Sequence, residues 1–529
     1  MERFFNAEGP IKPDIHYYVP MLERFHSHQI TALIEQQKYF LMHAARQTGK
    51  TSCLLAYMRF LNAEGKYKCL YTNVESGQAS RDNVAEAMRA IMSNLAKDAL
   101  LQIGDPVPQK LIREGLVDIN APTNGMNNLL SLWAAQSEKP IVLLLDEVDA
   151  LVGDSLISLL RQIRAGYSNR PETFPQSIIL CGVRDIQDYR IHGTKEVITG
   201  GSAFNIKAES LTMSNFSEAE VRFLYHQHTL ATGQQFEDAI YAQVMEYTGG
   251  QPWMVNALAY DVCFREDAGK NRSTLINVQM FADAKERLIY SRRTHLDQLI
   301  DKLKEPRVQR VIEPMLVGST LTFIDEDDVQ YLIDLGLIIR DNTGLRIANA
   351  IYREVIPREL NRILQINLDS RVEQPPVWYL DSAGNIDERR MLTSFQEFFR
   401  ENADIWLKMT NYEEAAPQLL LQAYLQRVIN GGGRVQREYA LGRGRADLLV
   451  EWRHPDYQQK IVIELKIKYN SLEKTLQDGL AQTAEYMERC GVSHGNLLIF
   501  DRTPGKSWDE KIFIREETVN GKTITIYGM

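Results

Sequence analysis

Ala44-Ala45-Arg46-Gln47-Thr48-Gly49-Lys50-Thr51 is the stretch whose setting decides the fold of this chain. An apolar, strand-like run, KYFLMHAA (38–45), leads into it, and SCLLAYMRFL (52–61), compatible with a helix, leads out. A strand, a tight loop and a helix N-terminus together aim backbone N–H groups at phosphate. Gly49 lets the backbone turn, Lys50 can reach the β- and γ-phosphates of a nucleotide, and the Thr51 hydroxyl can ligate magnesium. Ala44 stands where the pattern GxxxxGK[ST] has its first glycine, and Ser52 follows directly. The competing reading is a chance Gly-Lys-Thr in a helix cap.

A second element stands against chance. Ile141 to Leu145 reads as a buried strand, and it ends in two carboxylates, Asp146 and Glu147. Asp146 is expected to hold the magnesium shell on the Thr51 side, and Glu147 to polarise the attacking water as general base, so hydrolysis rather than binding alone is expected.

Around this core, residues 30–265 alternate strand-like runs (YKCLYTNV, PIVLLLDE, SIILCGV) with amphipathic stretches, the pattern of a parallel sheet wrapped by helices. Residues 1–29 are a lead-in. From 266 to 365 the pattern is helical and closes on LGLIIRDNTGLRIAN, where Asp341 to Gly344 form a turn between two short strands, as in a winged helix. Residues 366–395, polar and containing Pro375-Pro376, read as a connection, and a further domain is expected over 396–529. The fold class is multidomain α/β.

Bulk properties agree with several soluble domains. The 529 residues suggest three or four, with 44% hydrophobic and 24% charged residues. The net charge of -9 excludes a chain coated for non-specific nucleic-acid binding, so any such contact must be local. Five scattered cysteines suggest neither zinc nor disulfides. Without a run of about 20 apolar residues, a cytoplasmic location and no membrane contact are expected.

In the last domain, RADLLVEW (445–452) and IVIELKI (461–467) place Asp447, Glu464 and Lys466 inside apolar strands, where charge needs a reason. Pairing Trp452 with Ile461 sets Asp447 opposite Lys466, and alternation puts Glu464 and Lys466 on one face. Two carboxylates and the Leu465 carbonyl make a hard oxygen site for Mg²⁺ or Mn²⁺, with Lys466 placed to position water and stabilise developing negative charge. Glu438 can add a carboxylate, Arg443 and Arg445 can bind phosphates of the cut strand, and Gln482 and Tyr486 lie one helical turn apart nearby. The competing reading is a surface hairpin with ordinary salt bridges.

AARQTGKTS (44–52), LLLDEVD (143–149) and TGGQPWMVNALA (248–259) resemble the P-loop, Walker B and Gly-x-Pro lid motifs of the AAA-like archaeal-type and STAND ATPases, over roughly residues 17–360. The resemblance implies ATP as ligand and makes Arg184, after SIILCG, the first candidate to sense γ-phosphate, ahead of Arg161 and Arg164. It also implies a winged helix that contacts nucleotide, nucleic acid or neighbouring subunits. The run Asp325 to Asp334 carries five carboxylates and favours a coupling role over DNA binding, although Arg292, Arg293, Lys302, Lys304, Arg307 and Arg310 precede it.

Asp447, Glu464 and Lys466, with Gln482 and Tyr486 on the following helix, resemble the PD-(D/E)XK nuclease superfamily over about 396–515. This implies a restriction-endonuclease-like domain, although Gln418 and Gln422, with Glu413 and Glu414 just before, stand where that family often has an acidic residue. Together the resemblances imply a homo-oligomeric, ATP-gated nuclease acting on DNA, with RNA as the open alternative, in a setting such as defence against foreign DNA. The alternatives are a regulatory ATPase whose nuclease-like domain only binds, and a plain nuclease with ATP as a structural ligand.

Overall fold

The computed structural model describes residues 2–25, 27–81, 83–151, 153–183, 207–291, 299, 301–317, 325–342, 344–369, 378–406, 416–428, 433–440, 445–453, 457–468, 471–503 and 505–529. The chain forms two compact units, Met1–Tyr290 with Gln330–Gly336, and Ser291–Val329 with Leu337–Met529.

The first unit opens with a small parallel pair, β1 (Phe4–Phe5) and β2 (His16–Tyr17). The main sheet follows, built from β3 (Tyr39–His43), β4 (Lys68–Asn73), β5 (Ile141–Asp146), β6 (Ser177–Gly182) and β7 (Lys207–Thr212). Its order is β4-β5-β6-β3-β7, all parallel. All six residues of β5 are buried, because helices cover both faces. Leu143 and Leu145 pack with Met88, Ile91, Trp133 and Leu159 on one face, while Val142 and Leu144 pack with Leu54, Tyr57 and Leu61 on the other. Since β6 lies between β3 and β5, the loops leaving β3 and β5 flank one crevice at the carboxyl ends of the strands, where such sheets bind ligands.

The lead-in is part of this unit. Phe5 packs 5.4 Å from Tyr225, and Tyr17 packs 5.6 Å from His228, both on the helix Glu218–Thr232. The helix Val278–Tyr290 packs on Pro252–Tyr260 and so continues the same unit past residue 265.

In the second unit, β8 (Ile338–Asp341) and β9 (Gly344–Ile347) pair antiparallel with Asp341 opposite Gly344. The six-stranded sheet consists of β10 (Gly433–Ala440), β11 (Arg445–Arg453), β12 (Gln458–Lys468), β13 (His494–Asp501), β14 (Phe513–Val519) and β15 (Lys522–Gly528), in the order β10-β11-β12-β13-β15-β14. β10 to β12 form an antiparallel meander, and the helix Leu472–Cys490 returns the chain to β13, parallel to β12. β14 lies at the far edge, antiparallel to β15.

The connection expected over 366–395 is shorter than its composition suggests. The helix Ala350–Asp369 runs past residue 365, and Glu388–Trp406 starts before 396, because Met391, Leu392, Phe395 and Phe399 recur at helical spacing and are buried. The acidic run before β8 is also not a uniformly solvated face. Asp328 is buried and accepts from Arg307 (3.1 Å) and Arg310 (2.6 and 2.9 Å). These two arginines, and Lys302 and Lys304 on Glu305 (2.6 Å) and Asp301 (2.8 Å), are therefore engaged in ion pairs. Arg292 and Arg293 lie outside the described residues.

Candidate functional site

β3 delivers Ala44 to Gly49 to the start of the helix Lys50–Glu64. Gly49 has φ +94°, in the left-handed region that costs glycine nothing, and it turns the loop into the helix. Ala44 is buried, so a small residue is what that position takes. The Lys50 ammonium, itself buried, donates to the carbonyls of Ala44 (2.8 Å) and Ala45 (3.0 Å), which keeps it over the loop's concave side. Arg46 and Gln47 are exposed, Thr48 donates to the Ala45 carbonyl (2.8 Å), and the Ser52 hydroxyl accepts from Ile11 N–H (2.9 Å).

β5 brings the carboxylates to the same place. Thr51 Oγ1 donates to Asp146 Oδ2 (2.7 Å), as does Tyr71 Oη (3.0 Å), while Glu147 N–H donates to Asp146 Oδ1 (3.0 Å). Fully buried Asp146 is thus fixed beside Thr51, a hard oxygen pair of the kind that holds magnesium in the nucleotide complex. Glu147 adopts left-handed φ 57°, ψ 38°, an uncommon conformation for a non-glycine residue and one found at functional sites. Burial first, then the charges of Asp149 and Asp146, push its carboxyl above the usual carboxylate range, against the pull of Lys50 and Arg46. Arg161 and Arg164 lie on the helix Gly153–Ala165, and Arg184 lies outside the described residues.

Two loop-holding residues carry no local sequence signal. Arg24 donates to the carbonyls of Thr48 (3.1 Å) and Ser214 (2.9 Å), lies 4.5 Å over the Phe216 ring and faces Glu220 (3.7 Å). Gln251 caps the helix Pro252–Tyr260 and donates to the carbonyls of Arg46 (3.3 Å) and Gln47 (3.4 Å). Both act on the loop backbone, so Arg24 is a positioning residue. Arg24→Ala is expected to weaken nucleotide binding about 10-fold, the loss of one charge-assisted hydrogen bond, while changing kcat far less. Calorimetric titration with ATP set beside steady-state turnover checks that split, and an unchanged affinity would remove Arg24 from this role.

In the second unit, Glu438 is paired with Asp447, and Asp447 with Glu464, so three carboxylate-bearing residues hold adjacent positions across β10, β11 and β12. This corrects the expected register. Trp452 pairs with Gln459 rather than Ile461, and Asp447 therefore stands opposite Glu464, not Lys466. Glu464 is fully buried, and Lys466 Nζ donates to its Oε1 (2.6 Å) and to Gln482 Oε1 (2.5 Å). Gly479 makes this possible, because a Cβ there would fall 2.8 Å from Leu497 Cδ1 and 3.3 Å from Lys466 Cγ. The glycine lets the helix lie close on β12 and β13, and Gln482 follows one turn later.

Leu465 has its side chain buried, facing away from Glu464 and Lys466 by strand alternation. Tyr486, a candidate for nucleic-acid contact, is instead buried in the core with Met487 and Leu497, so the helix contributes Gln482 alone of that pair. Gln418 and Gln422 are buried on the helix Ala416–Val428. Arg445 begins β11, and Arg443, Glu413 and Glu414 lie outside the described residues.

The sequence matches the family model described as AAA-like domain over residues 6–357, and that of the PD-(D/E)XK nuclease superfamily over residues 412–500. No curated protein matches the chain. Among solved structures, it is similar to the Walker-type ATPase PABY2304 of Pyrococcus abyssi, at 12% identity and TM-score 0.46, covering 66% of this chain and 99% of that one. It is also similar to the ORC2 protein of Aeropyrum pernix, at 11% identity and TM-score 0.43 over 66% and 97%. A third is the RuvB Holliday junction branch migration motor of Thermotoga maritima, at 14% identity and TM-score 0.34 over 66% and 97%.

Proposed function

Because the chain belongs to the AAA-like domain family and carries a PD-(D/E)XK nuclease superfamily domain after it, we propose that it binds and hydrolyses ATP and uses that cycle to control metal-dependent cleavage of DNA. The observation that carries the reading is the pairing of fully buried Glu464 with partly buried Lys466, inside the sheet beside the Asp447 and Glu438 positions. An apolar strand has no structural need for two charges there, whereas phosphodiester hydrolysis needs both.

In the nucleotide site, Lys50 would hold the β- and γ-phosphates, Thr51 and Asp146 would hold magnesium, which would supply neutralisation of phosphate charge, and Glu147 would accept a proton from the attacking water. In the nuclease site, Glu464 and the carboxylate-bearing positions beside it would hold Mg²⁺ or Mn²⁺, which would supply polarisation of the phosphate. Lys466, steadied by Gln482, orients the water and stabilises the charge that develops. Arg443 and Arg445 are proposed to hold the cut strand.

The protein is read as a cytoplasmic homo-oligomer, Arg184 being first candidate for the arginine that reaches γ-phosphate. No helix among the described residues is long and apolar enough to cross a membrane. The helices before β8, with the β8–β9 hairpin, are read as a winged helix that couples nucleotide state to the rest of the chain, because Arg307 and Arg310 are engaged on Asp328. Defence against foreign DNA is a setting that suits a nuclease kept under nucleotide control.

The test is cleavage of linear, circular and single-stranded DNA with Mg²⁺ or Mn²⁺, with and without ATP. The wild type is expected to cut in a manner that ATP alters, and Asp447→Ala to cut nothing measurable. A wild type that cuts no DNA under any of these conditions would leave a regulatory ATPase with a binding-only second domain.

A further inference from the structure

Beyond Lys466, the same face of β12 carries a second basic position. Side chains alternate along a strand, so Glu464, Lys466 and Lys468 line one face, and Lys468 lies roughly 6.6 Å beyond Lys466. β12 and β13 are parallel, with Lys468 opposite Asp501, the last residue of β13.

Asp501 is buried and gathers donors. Its carboxylate accepts from Lys468 Nζ (3.0 and 3.2 Å), Lys506 Nζ (2.8 Å), Thr503 Oγ1 (2.5 Å) and Thr503 N–H (3.0 Å), and Lys468 also donates to Thr503 Oγ1 (3.0 Å). Burial pushes the Asp501 carboxyl up, but the hydrogen bonds from Lys506, Thr503 and Lys468 outweigh it and hold it well below the usual carboxylate range. The carboxylate is therefore ionised throughout the working pH range.

One buried carboxylate fixes two ammoniums, and the exposed Glu510 carboxylate, held by Ser507, is a further charge near Lys506. Both lysines keep part of their surface open, 15% for Lys468 and 26% for Lys506, so a ligand can reach them. Two ammoniums fixed in place next to a site read as cutting phosphodiesters have an evident use, because the DNA backbone carries an anion at every step.

We propose that Lys468 and Lys506, organised by Asp501, form a phosphate-binding subsite that holds the DNA backbone one step along the strand from the bond cut at Glu464 and Lys466. This rests on the reading of the second unit as a DNA nuclease. Lys506 is the removable half, since Lys506→Gln leaves the Lys468–Asp501 pair intact and alters a partly exposed side chain.

The test uses the full-length protein and a short fluorescein-labelled DNA duplex in EDTA, so that binding is read without cutting. Each phosphate contact contributes about 0.9 to the slope of log affinity against log salt. Lys506→Gln is expected to bind more weakly and to lower that slope by about 0.9, with Lys506→Arg restoring it. An unchanged slope and affinity in Lys506→Gln, or no binding of the duplex by the wild type, overturns the subsite. Cleavage of the same duplex in Mg²⁺ by the wild type is scored separately. Cutting together with an unchanged slope overturns the subsite alone, whereas a lowered slope without cutting overturns the nuclease reading and supports the subsite as a DNA contact.

Discussion

Glu147→Gln, which removes the proposed general base, is expected to lower steady-state ATP turnover by about 100-fold or more, the lower range for such a loss, while ATP affinity stays within a few fold. The split follows from the site. Glu147's backbone N–H, which steadies Asp146, survives the substitution. Lys50, Thr51 and Asp146 remain to bind nucleotide. The acid limb of wild-type turnover carries a second signature. The proposed base, Glu147, would work only when ionised, and burial with Asp149 and Asp146 raises its pKa. Turnover therefore falls as pH drops through a value above the ordinary glutamate pKa of about 4.3. Phosphate release and fluorescent-nucleotide titration across pH check both statements, and turnover retained in the variant would move the base elsewhere. The same variant bears on control, because a nuclease using ATP only as a structural ligand would cut DNA as the wild type does.

On the proposed function, Lys466→Met and Glu464→Gln are each expected to reduce DNA cleavage by about 100- to 1,000-fold, the range for removing one preorganised charged group. Their stabilities separate chemistry from folding. Lys466→Met leaves a fully buried carboxylate without its ammonium, a change that typically costs about 3–5 kcal/mol. The double variant Glu464→Gln, Lys466→Met removes both charges and is expected to recover much of that loss while remaining inactive. Thermal unfolding in EDTA, read beside cleavage in Mg²⁺, tests the pair. If stability and activity returned together in the double variant, the pair would be a structural salt bridge and the nuclease reading would fail.

The parts legible in the sequence are those whose chemistry is local. Gly49, Lys50 and Thr51 announce a loop at a helix start, Asp146-Glu147 ends an apolar run, and Glu464 and Lys466 alternate within one strand. What is not legible depends on tertiary geometry. The β11–β12 register is set by the pairing of whole strands and their connection, and counting from an assumed Trp452–Ile461 pair misplaces Asp447 by two residues. Tyr486 shares helical spacing with Gln482, yet it falls on the face that packs into the core. Arg24, Tyr71 and Gln251 reach the nucleotide site from distant segments, and nothing in their own neighbourhoods announces it. The hairpin β14–β15 lies largely beyond the stretch that carries the nuclease resemblance, yet it completes the sheet.

That last hairpin also bears on how copies of the chain can meet. An outermost strand offers a row of unsatisfied main-chain donors and acceptors, an open template on which another strand can grow. β14 reads FIREETV, and its exposed run Arg515, Glu516, Glu517, Thr518 puts charge along that rim. Adding a second copy in sheet continuation would strip these charged side chains of water. The rim of β14 is thus guarded against runaway strand-on-strand growth, and a homo-oligomer of the kind proposed would use other surfaces.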